Sequence, residues 1–377
     1  VSGVVTATTL NQTSTSIVVG SAVTANSTGI DVTGIVTATS FSGTVPSSSL
    51  SGALPAISGA NLTGIDASAI KFGGAVKVQA NNSGAVVTGI LTATSLATGT
   101  NAVVIPSIEA KVLVIGGGGG AGTTGGEGGG GGAGGFQEYA AVYLVKSQVY
   151  TVVVGAGGAG TPSYDVYSSK GGPSSIKGAN LQCMPCAGGG GGGTYPGQTP
   201  FGKRYGAGQD GASGGGGGGN YNADSYRVMH YGGGGISGQG FRGGDGNYNS
   251  NNYGGGGGGG AGQVGGYETN GTAGDGGDGL PSAITGSVTY YAGGGAGNST
   301  ATDGTGGQGG GANTDASGTA NTGGGGGAGS NRAGGSGVVI IRVKTSDYSS
   351  TTSGSPTVTT TGSDTVIKFT GSGTYTA

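Results

Sequence analysis

The stretch KVLVIGGGGGAG, Lys111 to Gly122, sets Gly116, Gly118 and Ala121 directly after a β-branched run. That is the G-x-G-x-x-G/A spacing of a phosphate-binding turn, whose chemistry needs a helix N-terminus to hold the pyrophosphate. The next fifteen residues, Ala121 to Gly135, contain ten glycines. At about 1 kcal/mol per glycine against alanine, a helix there is penalised by ~10 kcal/mol. Glu138 falls where a ribose-binding acid would sit, but acidic residues number 16, so the spacing carries little. Gly202-Lys203 is followed by Arg204, which breaks the phosphate-loop pattern. Cys183-Met-Pro-Cys186 has C-x-x-C spacing. A redox pair needs a helix start after it, and a zinc site needs four ligands, to which only His230 could add. Two loop cysteines, free or paired locally, are the expectation. Hydrolysis needs paired carboxylates or a base beside a nucleophile. Asp245, Asp275 and Asp278 instead stand singly among glycines, and His230 is the one histidine. The sequence predicts no enzyme, no cofactor and no metal.

Composition says what must replace those chemistries. Glycine is 101 of 377 residues, where ordinary usage is about 7%. Charged residues are 8%, against ~25% in ordinary domains. A formal net charge of −2 gives no electrostatic case for nucleic acid. No apolar run approaches the ~18 residues of a membrane span, so no membrane insertion is expected. VSGVVTATTL lacks the basic and apolar regions of a signal peptide.

Residues 1–107 carry a unit written three times: SGVVTATTL (Ser2–Leu10), TGIVTATSF (Thr33–Phe41) and TGILTATSL (Thr88–Leu96). Each reads as a strand rich in Thr, Val and Ile. A lone strand cannot bury its apolar face, and no helical pattern lies nearby to cover it. Three chains winding in parallel would solve this, giving a trimeric fibrous stalk.

Residues 108–343 hold the glycine. Of the 101 glycines, 84 lie in 116–337, together with 15 of the 17 tyrosines. AKVLVI, FQEYAAVYLVK and QVYTVVVG predict strands over 108–154. Tyr139–Val145 and Tyr150–Val154 read as an antiparallel pair turning at Lys146-Ser147. GVVIIRV, Gly337–Val343, predicts a closing strand, so one small antiparallel sheet would frame the glycine region. Residues 344–377 end in DTVIKFTGSGTYTA, which reads as a last hairpin or edge strand.

The pure tracts are Gly116–Gly120, Gly128–Gly132, Gly188–Gly193, Gly214–Gly219, Gly232–Gly235, Gly254–Gly260 and Gly323–Gly327. Disorder is one reading, since glycine loses the most backbone entropy on folding. A packed bundle of polyglycine II helices is the other. These share polyproline II geometry, with three residues per turn and no internal hydrogen bonds. Uninterrupted glycine suits a helix with neighbours on all sides. Tracts of 4 to 7 residues repeat one length, about 12 to 22 Å at ~3.1 Å per residue, and this favours the bundle. The fold predicted is all-β and fibrous, essentially without α-helix.

Inserts between tracts concentrate Tyr, Asn, Asp and Arg: Thr194–Asp210, Asn220–Tyr231 and Phe241–Tyr253. Such mixtures suit recognition surfaces. They equally suit a cap that shields the glycines from water. The candidate contact residues are Tyr205, Tyr221, Tyr226, Arg227, His230, Tyr231, Phe241, Arg242, Tyr248 and Tyr253. Rings would stack on a receptor, and Arg227 and Arg242 would pair with its acidic groups.

The TGIVTATSF-type repeat, with ISGANLTGI (Ile57–Ile65), resembles stalk repeats in tail-fibre and structural proteins of marine cyanobacterial myoviruses. The VLVIGGGGGAG start, VYTVVVGAGGAG, the GGPSSI turn (Gly171–Ile176), the glycine tracts and GGSGVVIIRV resemble the glycine-rich domain of phage tail fibres and adhesins. The resemblance implies a homotrimeric virion or extracellular fibre whose loops touch a host glycan, lipopolysaccharide or outer-membrane protein, alongside other fibre subunits. It supplies no catalytic residues. A purely architectural filament subunit and, more remotely, a depolymerase are the competing expectations.

Overall fold

The computed structural model describes residues 106–123, 127–163, 166–178, 181–194, 206–219, 229–247 and 253–377, and, as backbone alone, six strands of the first 97. The chain divides into two compact units, Val1–Ala97 and Thr98–Ala377. In the first, β1 (Ser16–Val19), β2 (Val23–Asn26) and β3 (Gly29–Val32) form one antiparallel meander. There β4 (Ala69–Phe72), β5 (Ala75–Asn81) and β6 (Gly84–Val87) form another. The three TATS-type repeats lie outside the described residues.

Among its described residues the second unit contains twelve further strands. These are β7 (Ser107–Ile115), β8 (Phe136–Val145), β9 (Val149–Val153), β10 (Ser174–Gly178), β11 (Leu181–Cys186) and β12 (Leu280–Ser282). They continue with β13 (Thr289–Tyr291), β14 (Val338–Lys344), β15 (Thr352–Ser353), β16 (Thr357–Thr361), β17 (Asp364–Phe369) and β18 (Gly373–Thr376). The fold is all-β, as the sequence predicts, and its helical content among the described residues is one 3-10 turn, Thr345–Asp347.

Two five-stranded sheets face each other, in the orders β16-β17-β14-β7-β8 and β11-β10-β9-β18-β15. Between them lie Ile108, Val112, Val339, Ile341, Ile367 and Phe369 of the first sheet, and Tyr150, Val152, Ile176 and Tyr375 of the second. Full burial of each such side chain stabilises the fold by about 1.5–3 kcal/mol. The first sheet has a second buried face: Leu113, Ile115, Val338 and Ile340 pack on Ala133, Ala261, Ala292, Ile284 and Tyr291 of the glycine region. Burial on both faces explains why β7 and β14 read as continuous apolar runs rather than alternating ones.

Four expectations change here. β8 and β9 do not pair: β8 is bonded to β7, whereas β9 joins β10 and β18. The corner at Ser147, in the left-handed region with φ 64°, carries the chain from one sheet to the other. The frame is therefore a sandwich, not one small sheet. The tail supplies an inner strand to each sheet, since β17 lies between β14 and β16 and β18 between β9 and β15. Ser174–Gly178, which begins within the predicted turn at Gly171–Ile176 and runs beyond it, is a strand paired on both sides.

From the sandwich the chain runs out and back repeatedly through glycine tracts that are neither helix nor strand. Their backbone bonds follow a period of three. In the first tract Gly116, Gly119 and Gly122 N–H donate to Gly135, Gly132 and Gly129 O. Gly117 and Gly120 donate to Gly172 and Ser169, and Gly118 and Ala121 donate to Gly335 and Arg332. The carbonyls repeat the pattern on three other segments. Gly117 and Gly120 O accept from Gly189 and Gly192, Gly118 and Ala121 O from Gly158 and Thr161, and Gly119 and Gly122 O from Gly326 and Gly329. Six neighbours thus surround one tract, and the seven amides of the candidate phosphate turn are all committed to carbonyls.

Segments 116–122, 128–135, 213–219, 254–260 and 323–328 are buried throughout. Glycine is required there by contact: a Cβ on Gly118 would sit against Gly324 O, 2.5 Å from its carbonyl carbon. Distances under 3.0 Å are ones that real Cβ atoms essentially never show.

Candidate functional site

A side chain can leave this bundle only where a tract lacks a neighbour, and the period of three decides which residues those are. Five outer segments lie side by side. Gly243 and Gly246 N–H donate to Gly233 and His230 O, Gly265 and Glu268 to Arg242 and Asp245, Gly266 to Asp275, and Gly276 and Gly279 to Thr305 and Gln308. On the last three, exposed positions include Val264 and Tyr267; Thr272, Asp275 and Asp278; and Thr302, Thr305 and Gln308, with Gln263 and Asp303 exposed beside them. Each of the three sets recurs at three, and the glycines at 265, 274, 276, 277, 279, 304 and 307 are buried.

The outward side chains are joined to one another. Arg242 lies over the Tyr267 ring at 5.6 Å from its centroid, a contact worth about 0.5–1 kcal/mol at an exposed site. Its guanidinium is ion-paired with Asp245. Asp245 Oδ1 also accepts Gly232 N–H at 2.8 Å, which fixes the residue beside Tyr231. Tyr231 and Tyr267 remain 63% and 51% exposed. Carboxylates here stand in for missing backbone neighbours. Asp275 Oδ1 accepts Thr305 N–H at 2.6 Å, Asp278 Oδ1 accepts Gln308 N–H at 2.7 Å, and Asp210 Oδ1 accepts Gly234 N–H at 2.6 Å. The acids that look scattered in the sequence are side-chain caps for outer tracts. Between 263–267 and 305–306, over 275–278, runs a groove of about 450 Å³.

The predicted contact residues separate. Tyr205, Tyr221, Tyr226, Arg227 and Tyr248 lie outside the described residues. Tyr231 and Phe241 are exposed. Phe241 starts its segment, whose far end, Gly246, is bonded to His230. Arg242, expected to meet acidic groups of a receptor, is committed to Asp245. Tyr253 is half-buried, its carbonyl accepting the Ser299 hydroxyl at 3.3 Å. His230, expected at the surface, is buried, with its ring against Gly206 and Nδ1 3.1 Å from Gly218 O. Burial lowers its pKa against an opposing pull from the Gly218 carbonyl, and Nε2 has no partner. Tyr267, Asp275 and Asp278, outside the predicted set, are exposed on the neighbouring tracts. Their signal in the sequence is a non-glycine residue every third position, as in V-G-G-Y and T-A-G-D-G-G-D.

Glu127 and Cys186 are also perturbed by burial. Glu127, between segments 116–122 and 128–135, is buried with Oε2 unpartnered, and burial pushes its carboxyl up to about 7. Cys183 and Cys186 are free and stand on β11, not in a loop. Residues three apart on a strand point to opposite faces. Cys183 is accordingly exposed and Cys186 buried, with its thiol pushed up to about 12 by burial. Neither a redox pair nor a local disulfide can form in that geometry. Among the described residues no three His, Cys, Asp or Glu side chains converge to hold a metal ion. No described helix is long and apolar enough to cross a membrane.

A family model described as a glycine-rich domain matches residues 92–344. No curated protein matches the chain.

Proposed function

The chain belongs to the glycine-rich domain family, and on that premise we propose that it is a structural and adhesive fibre protein of a virion, non-catalytic, with its recognition chemistry on the glycine-rich unit. The carrying observation is the row of outward side chains on adjoining tracts that cap no tract: Tyr231, Arg242 and Tyr267. An inert bundle needs only glycine, alanine and caps. Rigid exposed rings with polar neighbours are recognition chemistry. We read the tracts as polyglycine II helices, because hydrogen bonds return to the same neighbour after every third residue. The first unit is read as a stalk in a homotrimer. In support, its two meanders of 4- to 7-residue strands are too small to enclose a core of their own.

Adsorption of the purified full chain to bacterial cells, alongside its native mass by light scattering and its outline in micrographs, tests this reading. Trimeric fibres that adsorb are expected. End-to-end polymers that adsorb to no cell would make it an architectural filament subunit instead, and turnover of surface polysaccharide would make it an enzyme.

A further inference from the structure

Within that adhesive reading, the geometry points to a ligand for the groove over Asp275 and Asp278: a neutral, hydroxyl-rich glycan chain. The floor, segment 273–279, commits most of its amides. Ala273, Gly276 and Gly279 donate to 302–308, and Gly274 and Gly277 donate to Gly255 and Gly258. The amides of Asp275 and Asp278 are left, and neither meets an acceptor among the described residues. They stand one three-residue turn apart, ~9 Å, which is the reach of a disaccharide. The carboxylates turn only Oδ1 inward, to Thr305 and Gln308. Oδ2 of each has no partner among the described residues and can accept a sugar hydroxyl. One wall carries Tyr267, half exposed, as a platform for the apolar face of a sugar ring.

Charge selects among glycans. Two carboxylates face the groove, its other polar side chains, Gln263 and Thr305, are neutral, and the nearby cation, Arg242, is neutralised by Asp245. An acidic polymer meets uncompensated like charge there, whereas a neutral one meets only donors, acceptors and a ring. This inverts the sequence-based expectation of arginines pairing with acidic receptor groups.

Affinity electrophoresis of the full chain tests the inference, in gels carrying neutral polysaccharides (dextran, mannan, hydroxyethyl cellulose) or acidic ones (alginate, hyaluronate). Retardation is expected in at least one neutral gel and in neither acidic gel. Tyr267→Ala should weaken it about tenfold. Asp275→Asn with Asp278→Asn, which keeps the Oδ1 caps, should weaken it several-fold at an unchanged melting temperature. No retardation in any neutral gel, equal retardation in acidic gels, or full retardation of Tyr267→Ala would each overturn the proposal. Cell adsorption separates the two levels. If wild type and Tyr267→Ala adsorb equally, the groove is not the site and the adhesive reading stands, with a protein receptor elsewhere. If wild type adsorbs to no cell, the adhesive reading itself fails.

Discussion

Gly118→Ala adds one methyl group to the centre of the bundle, and the structure fixes where it goes. The new Cβ points at the Gly323–Gly324 backbone, 2.8 Å from Gly323 O and 2.5 Å from the Gly324 carbonyl carbon. A comfortable C···O contact is about 3.3–3.6 Å, so segment 323–328 must retreat by roughly 1 Å. Two bonds tie that segment to the first tract, Gly326 N–H to Gly119 O and Gly329 N–H to Gly122 O, both 3.0 Å. Stretched by that amount they are no longer hydrogen bonds. Each lost bond costs about 1 kcal/mol net, and a buried group left unmatched costs ~1–3 kcal/mol. Overpacking strain adds about 1–3 kcal/mol. Alanine recovers only ~0.4–1 kcal/mol by restricting the unfolded chain. The balance is a loss of about 3–6 kcal/mol, out of the 5–15 kcal/mol that typically holds a domain. At roughly 2–4 °C per kcal/mol for a unit of this size, the melting temperature should fall by about 6–24 °C. Calorimetry of the full chain reads this, with Gly371→Ala as control, because a Cβ on Gly371 meets nothing within 4 Å. The control should melt at or slightly above wild type. If Gly118→Ala melts with the control, the tracts do not pack as described and the contact argument fails.

Glu127→Gln should change the pH dependence of stability. The carboxyl is raised by burial from 4.5 to about 7, so the folded state holds its proton more tightly than the unfolded chain. That stabilisation is present below pH 4.5 and is lost as pH rises through about 7. His230, lowered by burial, works oppositely and loses stability as pH falls below its ordinary 6.5. The difference between Glu127→Gln and wild type across pH 4.5–7 is therefore the diagnostic, and superimposable denaturation profiles would sink it. Cys183 should react with iodoacetamide in the native protein while Cys186 does not, and oxidants should yield no intramolecular disulfide; mass spectrometry of the alkylated chain decides. Cys186→Ser, which buries a hydroxyl in the sandwich core, should cost about 1–3 kcal/mol in urea unfolding, with Cys183→Ser neutral. Asp278→Ala should cost about 1 kcal/mol by uncapping Gln308 N–H, and Asp278→Asn much less. Equal melting of the two would show that the cap contributes nothing.

Much of this fold is legible residue by residue. VLVI before the glycines and GVVIIRV after them mark β7 and β14, because only strands buried on both faces carry such runs. Pure glycine marks the inner tracts, because a Cβ would meet a neighbour's carbonyl wherever the tract turns. Outer tracts are legible too, once the period is known: Arg242 with Asp245, Val264 with Tyr267, and Thr272, Asp275 and Asp278 each recur at three. Gly232–Gly235 departs from this, being pure glycine in an outer tract with Gly234 and Gly235 exposed. Glycine is compulsory inside but merely permitted outside. Exposure within the inserts is less legible, since inserts attract attention by composition whereas exposure depends on which neighbour is absent. His230 is buried and Arg242 is paired with Asp245 for that reason.

The sequence by itself settles the class of structure: all-β, without room for helices, and with backbone packing in place of side-chain packing over the glycine-rich region. Composition and local pattern suffice for that, because runs of glycine, at about 1 kcal/mol each, sum to a penalty no helix there can offset. Tertiary structure alone decides which strands share a sheet, that the tail completes both, that Cys183 and Cys186 face apart, and which third residue of each tract looks outward. Those are long-range outcomes. A tract's hydrogen bonds are all made to other segments, so nothing within the tract records who its neighbours are.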